Sequence, residues 1–164
     1  MTKVSICIPA YNQVKYLKKT IDSVLNQTFS DYEIIITDDS PTNIVFDLVV
    51  AYQSEKIKYY KNEVPLGSPE NWNEAIRLSK GEYIKILHHD DYFTFPDSLE
   101  AFVELMDSSP KAVLGFSSSV VDLINKNKMW IHSPTAQDLE NLKVNPYCLF
   151  FKNYRMMSLY NLLH

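Results

Sequence analysis

Glycine is scarce in this sequence: three residues in 164, against eleven tyrosines. No stretch is rich in Gly, Ser or Pro, none is of low complexity, and none repeats, so nothing marks a flexible linker. One compact unit is the simplest organisation, because 164 residues can bury one core but are too few for two domains of ordinary size. Cysteine is rarer still. Cys7 and Cys148 sit in apolar surroundings without partners at metal-ligand or redox-motif spacing, so both read as buried free thiols of a reducing compartment, neither of them catalytic. Long apolar runs are missing as well. Val4 to Ala10 is interrupted by Pro9 and too short for a signal-peptide core, and no later run approaches the roughly 18 residues of a membrane span. The expectation is a soluble, cytoplasmic protein. Basic charge is also short: a net charge of -4 leaves no field to hold a polyanion, which argues against a nucleic-acid partner but allows a nucleotide.

What is present is ordinary globular material, 46% hydrophobic and 22% charged, arranged as short apolar runs alternating with amphipathic helical patterns. That alternation is the signature of βαβ units on a parallel sheet. Val4 to Pro9 reads as a buried strand. After the Tyr11-Asn12 turn, Val14, Leu17, Ile21, Val24 and Leu25 recur at helical spacing, with Asn12 as the N-cap. Glu33 to Thr37 predicts a second strand, Asn43 to Ser54 a helix, and Ile57 to Lys61 a third strand leading into the loop Asn62 to Gly67. Ser68-Pro69-Glu70 supplies an N-cap, a first-turn proline and a first-turn acid for a helix carrying Trp72, Ala75 and Ile76 and stopping at Gly81. Glu82 to Leu87 predicts a fourth strand. Asp97-Ser98 opens a helix with Leu99, Phe102, Val103 and Met106 on one face, and Ala112 to Ser117 reads as a fifth strand. Beyond Val121 the pattern loosens into short segments around Trp130, Tyr147 and Phe150.

Two of the strands end on acids. Asp38-Asp39 follows Ile34 to Thr37, and Asp90-Asp91 follows Ile84 to His89, so both pairs are expected at the edge of the sheet where ligands collect. Clustered carboxylates repel one another unless a cation lies between them, and a hard divalent ion takes oxygen ligands from one or two carboxylates plus substrate phosphates. The plainer reading is that both are loop starters, since Asp and Ser hydrogen-bond their own backbone in turns.

Val4-Ser5-Ile6-Cys7-Ile8-Pro9-Ala10-Tyr11-Asn12, then Ser23 to Thr28, then Glu33 to Ser40 resemble, in order, the opening elements of the inverting glycosyltransferases of family 2. Asn62, Gly67, Asn73 and Gly81-Glu82-Tyr83-Ile84 also fall at that family's spacing, and His88-His89-Asp90-Asp91 stands where it has its Asp-x-Asp metal motif. The resemblance runs from about Val4 to about Ser119. It implies an α/β, Rossmann-like GT-A fold, a mostly parallel central sheet flanked by helices, here truncated at the C-terminus. It also implies a UDP-sugar-type nucleotide-sugar donor whose sugar passes to a hydroxyl acceptor, a glycan or lipid-linked glycan, in bacterial surface polysaccharide synthesis. Pro9, Tyr11 and Asn12 would line the base and ribose, and Asp38 would hydrogen-bond the base with Asp39 supporting the loop. Gly67 and Asn73 would complete the nucleotide site. Asp90, with Asp91 second and His88 third, would hold Mn2+ or Mg2+ against the diphosphate, where a Lewis acid stabilises the leaving group.

Three departures qualify that picture. His88 replaces the first acid of the metal motif, Trp72 stands where many members carry an arginine, and Ser40-Pro41 replaces Gly-Ser and stiffens the loop. The family's catalytic base is expected beyond this chain, which divides by pattern into a donor-binding domain over 1–154 and an atypical tail over 155–164. A nucleotide-sugar-binding module without turnover is the alternative to an active enzyme. His89 and His132 read as loop or surface histidines and His164 as a terminal one. The aromatic residues from Tyr147 to Tyr160 raise a homodimer, and the acceptor chemistry raises peripheral association with the inner face of a membrane.

Overall fold

The computed structural model describes residues 1–123, 128–138 and 140. The chain divides into two compact units, Met1–Leu114 and Gly115–His164. The expected tail over 155–164 lies outside the described residues, as do Cys148 and the aromatic cluster on which the homodimer expectation rests.

In the first unit, β1 (Val4–Ala10), β2 (Tyr32–Asp38), β3 (Ile57–Lys61) and β4 (Tyr83–Ile86) form an all-parallel sheet in the order β3-β2-β1-β4. The connecting helices are α1 (Val14–Leu25), α2 (Ile44–Ala51) and α3 (Glu70–Leu78), and α4 (Ser98–Asp107) follows β4. Strands β1 to β3 step outward in one direction, and β4 then pairs with the other side of β1. Chain direction therefore reverses between β1 and β4, and the loops leaving their carboxyl ends diverge there.

The central strands are apolar almost throughout because both of their faces are covered. Every residue of β1 is buried. Ile6, Ile8, Ile34 and Ile36 face one way, onto Leu17, Ile21 and Val24 of α1, Val45 and Val49 of α2, and Leu99 and Val103 of α4. Cys7 and Ile35, at the alternate positions, pack on Ala75 and Leu78 of α3. Each such aliphatic side chain contributes about 1.5–3 kcal/mol relative to exposure. The Cys7 thiol touches the Ala75 carbonyl oxygen at 3.4 Å. Burial, with the Glu33 charge adding, pushes its pKa up to about 12, so it is an inert core group.

Four local expectations change. Helix α1 begins at Val14 with Gln13, not Asn12, in the cap position, and no side chain caps it. Asn12 and Gln13 instead take left-handed conformations, φ 54° and 39°, and the Asn12 N–H is committed to Ser40 Oγ at 2.7 Å. Helix α3 starts one residue later than its Ser-Pro-Glu signal suggests, with Pro69 as N-cap, and α2 spans Ile44–Ala51 and not the expected Asn43 to Ser54. The segment 112–117 is no strand: Val113 is 97% and Leu114 52% exposed, and an apolar run without a pairing neighbour gains nothing from extension. In the second unit the strands are β5 (Ser119–Leu123) and β6 (Lys128–His132), an antiparallel pair. Among the described residues no helix is long and apolar enough to cross a membrane.

The sheet's amino end is fixed by a close approach. The N–H groups of Lys80 and Gly81 donate to Ser5 Oγ at 3.1 and 2.8 Å, and the Ser5 hydroxyl donates to Glu33 at 2.7 Å. A Cβ at Gly81 would lie 2.4 Å from the Ser5 backbone nitrogen and 2.7 Å from the Val4 carbonyl carbon. Gly81→Ala is therefore expected to cost about 1–3 kcal/mol of stability through overpacking against backbone. Urea denaturation measures it, and an unchanged midpoint would contradict the packing.

Candidate functional site

Because β1, β2 and β4 are mutually parallel, the acids after β2 and those after β4 emerge at one edge of the sheet. Asp38 has no exposed surface. One of its oxygens accepts the Ser40 N–H at 2.8 Å, and the other accepts the Tyr59 hydroxyl at 2.7 Å and Lys61 Nζ at 3.1 Å. The expected base contact therefore meets a carboxylate already occupied from inside the protein. Burial, with the Asp38 hydrogen bond adding, raises the Tyr59 pKa, which keeps its hydroxyl a donor.

Asp39, 5% exposed, faces the next loop. It accepts Asn62 Nδ2 at 2.7 Å, the Leu66 N–H at 3.0 Å and the Gly67 N–H at 2.8 Å. Gly67 has φ +70°, a conformation glycine adopts without steric cost, and this aims its N–H at the carboxylate. Asn71, in the first turn of α3, closes the arrangement. Its amide accepts Asn62 Nδ2 at 3.0 Å and donates toward the carbonyls of Ala10 and Thr37 at 3.4 and 3.3 Å, while the Thr37 hydroxyl donates to the Asn71 carbonyl at 3.0 Å. No buried side-chain polar atom among the described residues lacks a partner, so the whole edge is preorganised.

Beside this network the β1 turn offers accessible surface. Tyr11 is 53% exposed and Asn12 half-buried, whereas Pro9 is buried. The Pro9 carbonyl faces His89 Nδ1 at 3.2 Å. His89, in the loop after β4, is half-buried and ties that turn to the end of β1, where the sequence suggested a loop or surface histidine. A carbonyl can only accept, so Nδ1 carries the proton of this bond. The Thr20 hydroxyl of α1 donates to the Asp91 carbonyl at 2.7 Å, with the His89 carbonyl 2.9 Å away. The Asp91 N–H closes the turn onto the His88 carbonyl at 3.0 Å.

The candidate metal residues are held by that turn but do not converge as a set. Among the described residues no group of three or more His, Cys, Asp or Glu side chains is placed to hold an ion. His88 instead meets Trp72, ring centroids 4.7 Å apart and planes at 80°. That is the edge-to-face arrangement aromatic quadrupoles favour, so the two departures from the family pattern touch each other. The protein packed around the Asp91 carboxyl raises its pKa and the Asp90 charge adds to this, against the pull of His88, Lys85 and His89. Two crowded carboxylates of this kind favour a cation. Asn73, expected in the nucleotide site, turns its amide to Glu70 at 3.1 Å. The asparagine of α3 that reaches the strand ends is Asn71.

Sequence reasoning passed over Asn71, Tyr59 and Lys61. The alternation Tyr59, Lys61 along β3 was a usable signal, since residues two apart share a face and the register Asp38↔Lys61 puts that face beside the buried acid.

The family model described as Glycosyl transferase family 2 matches residues 5–162, further than the motifs, which fade near Ser119. The UDP-Glc:alpha-D-GlcNAc-diphosphoundecaprenol beta-1,3-glucosyltransferase WfaP of Escherichia coli is 39% identical over 93 residues, 57% of this chain and 37% of that protein. The structure of S. aureus TarS 1-349 in complex with UDP-GlcNAc superposes with a TM-score of 0.60 at 23% identity, covering 75% of this chain and 41% of that one. The mannosyltransferase PcManGT of Pyrobaculum calidifontis, in complex with GDP-Man and Mn2+, gives 0.58 at 19% identity, covering 63% and 32%. The fold is that of the GT-A glycosyltransferases. The chain spans less than half the length of the curated relatives it matches, from 15% to 44%.

The edge network carries a stability expectation of its own. Asn71→Ala removes one acceptor from the Asn62 amide, which keeps Asp39, and one donor from each of the Ala10 and Thr37 carbonyls, and should cost about 1–3 kcal/mol, read by urea denaturation. A loss below about 0.5 kcal/mol, the range of an ordinary surface change, would show that Asn71 does not hold the strand ends.

Proposed function

The chain belongs to glycosyltransferase family 2, and from that premise we propose that it binds a nucleotide-diphosphate sugar, UDP-sugars favoured, and passes the sugar to a hydroxyl acceptor with inversion. The observation that carries this reading is the meeting of three loops at the switch point of the parallel sheet: the Tyr11-Asn12 turn, the Asp38–Ser40 loop and the His88–Asp91 turn. In open α/β sheets that crevice is where nucleotides lodge.

The exposed Tyr11 ring and Asn12 meet the base and ribose, and Pro9 supports their turn from beneath. Asp39 and Gly67 form the rigid wall opposite. Asp38 shapes the loop from its buried side, and Asn73 would join only by leaving Glu70. The donor set after β4 fits a cation whose coordination the donor completes, because Mg2+ and Mn2+ sites of this kind use one or two carboxylates with substrate phosphates. Asp90 would hold the ion, with Asp91 beside it, and His88 is drawn away toward Trp72. When bound, the ion would stabilise charge on the departing nucleoside diphosphate. Thr20 and His89 keep the acid-bearing turn in place.

The diphosphoundecaprenol in the name of the Escherichia coli relative supports a glycan or lipid-linked glycan acceptor and a place in bacterial surface polysaccharide synthesis. It supports equally a peripheral association with the inner face of the membrane.

Calorimetric titration of the 164-residue chain with UDP and GDP, with and without Mn2+, tests the proposal. UDP should bind more tightly than GDP, and Mn2+ should tighten UDP binding by about tenfold or more, the equivalent of 1.4 kcal/mol. Asp90→Ala should abolish the ion's share. Binding indifferent to both the ion and Asp90 would refute the metal assignment, and release of UDP from a UDP-sugar separates an enzyme from a binding module.

A further inference from the structure

We infer that Lys61 is a positioning residue of this site, holding the Asp38–Thr42 loop through an ion pair to a buried carboxylate, so that Asp38 anchors the loop and does not itself touch the base. The inference rests on the nucleotide reading above, but its geometry is independent of any ligand.

Lys61 ends β3 and reaches across to the loop that follows β2. Its ammonium lies 3.1 Å from Asp38 Oδ2 and 3.3 Å from the Thr42 carbonyl, and donates also to the Ser40 carbonyl. An ammonium has three protons, and here three acceptors at alternate positions of one loop receive them. Most surface lysines pair with exposed acids, and such pairs contribute little. This one differs because its partner has no exposed side-chain surface, while the lysine side chain remains 35% exposed. A buried carboxylate without a countercharge is costly. Tyr59 and the Ser40 N–H are neutral donors, so among the groups bonded to Asp38 only Lys61 supplies positive charge.

The bond passes directly into the proposed site. Ser40, gripped by Lys61 at its carbonyl and by Asp38 at its N–H, presents Oγ to the Asn12 N–H at 2.7 Å. Asn12 and Gln13 hold left-handed conformations there, and Tyr11 precedes them. The chain of contacts Lys61, Ser40, Asn12 therefore sets how the turn that meets the nucleotide stands over the end of β1. Asp38 has no exposed surface for a base N–H to reach, and its three hydrogen bonds all come from within the protein.

The test compares Lys61→Met, Lys61→Arg and the double variant Asp38→Asn with Lys61→Met in the full 164-residue chain, by UDP calorimetry and by amide hydrogen exchange. Lys61→Met should weaken UDP binding by about tenfold or more, the size expected for a charged hydrogen bond, and Lys61→Arg should keep it within about threefold. The double variant, which removes charge and countercharge together, should recover to within about threefold of the parent. Exchange of the Ser40 and Asn12 amides should quicken by about tenfold in Lys61→Met through local opening, while Ile6 and Ile35 in the strand ladder stay protected. Parental UDP affinity and amide protection in Lys61→Met would overturn the proposal. A double variant no better than Lys61→Met would do so too, returning the base contact to the Asp38 carboxylate. Should the parent chain fail to bind UDP, the nucleotide reading falls, and amide exchange alone decides whether Lys61 holds the loop.

Discussion

Two adjacent carboxylates, Asp38 and Asp39, are buried where β2 ends, and neither can remain there without donors. Desolvating a charge is tolerated only when opposite charge or several hydrogen bonds replace the lost water. The structure meets that demand twice, with different materials on the two sides. Asp38 draws in a lysine, a tyrosine hydroxyl and a backbone N–H from β3 and its own loop. Asp39 draws in two backbone N–H groups and an asparagine from the loop before α3. Satisfying the pair thereby fixes two loops and the entry to a helix, and Asn71 then joins these to the ends of β1 and β2.

The turn after β4 depends on another kind of restraint. Its acids are crowded and partly solvated, and the groups that hold them are backbone carbonyls caught by Thr20 and a histidine bonded to Pro9. The turn is rigid in its main chain while its carboxylates stay uncommitted among the described hydrogen bonds, an arrangement suited to binding something that arrives with its own charge. At its start, His88 packs edge to face on Trp72 of α3. Trp72 on α3 and His88 after β4 make this aromatic contact together, and it sets the direction in which His88 points.

The apolar framework follows from simpler physics. Strands β1 and β2 are buried on both faces, so alternate residues serve different helices: Ile34 and Ile36 one side, Ile35 the other. The Gly81 approach to Ser5 clamps the opposite end of the sheet from the acids. The loops that bear chemistry are therefore mounted on a framework held at both ends.

Four parallel strands, their helices and the acids at the ends of β2 and β4 were legible in the sequence, because each leaves a local mark: a β-branched run, a 3.6-residue period, polar residues where a run stops. The family membership was legible for the same reason, as its motifs are consecutive. Where local signals compete the reading failed. Asn12 looked like a cap because capping and left-handed turns favour the same residue type, and 112–117 looked like a strand because an apolar run does not say whether a neighbour will pair with it. The division of labour between Asp38 and Asp39, the reach of Asn71 to the strand ends, the grip of Lys61 and the meeting of Trp72 with His88 were decided only by tertiary structure. Each depends on which atoms from distant segments arrive within about 3 Å of a buried group, or within ring contact. Strand order and register set those approaches, and no single stretch of sequence carries them.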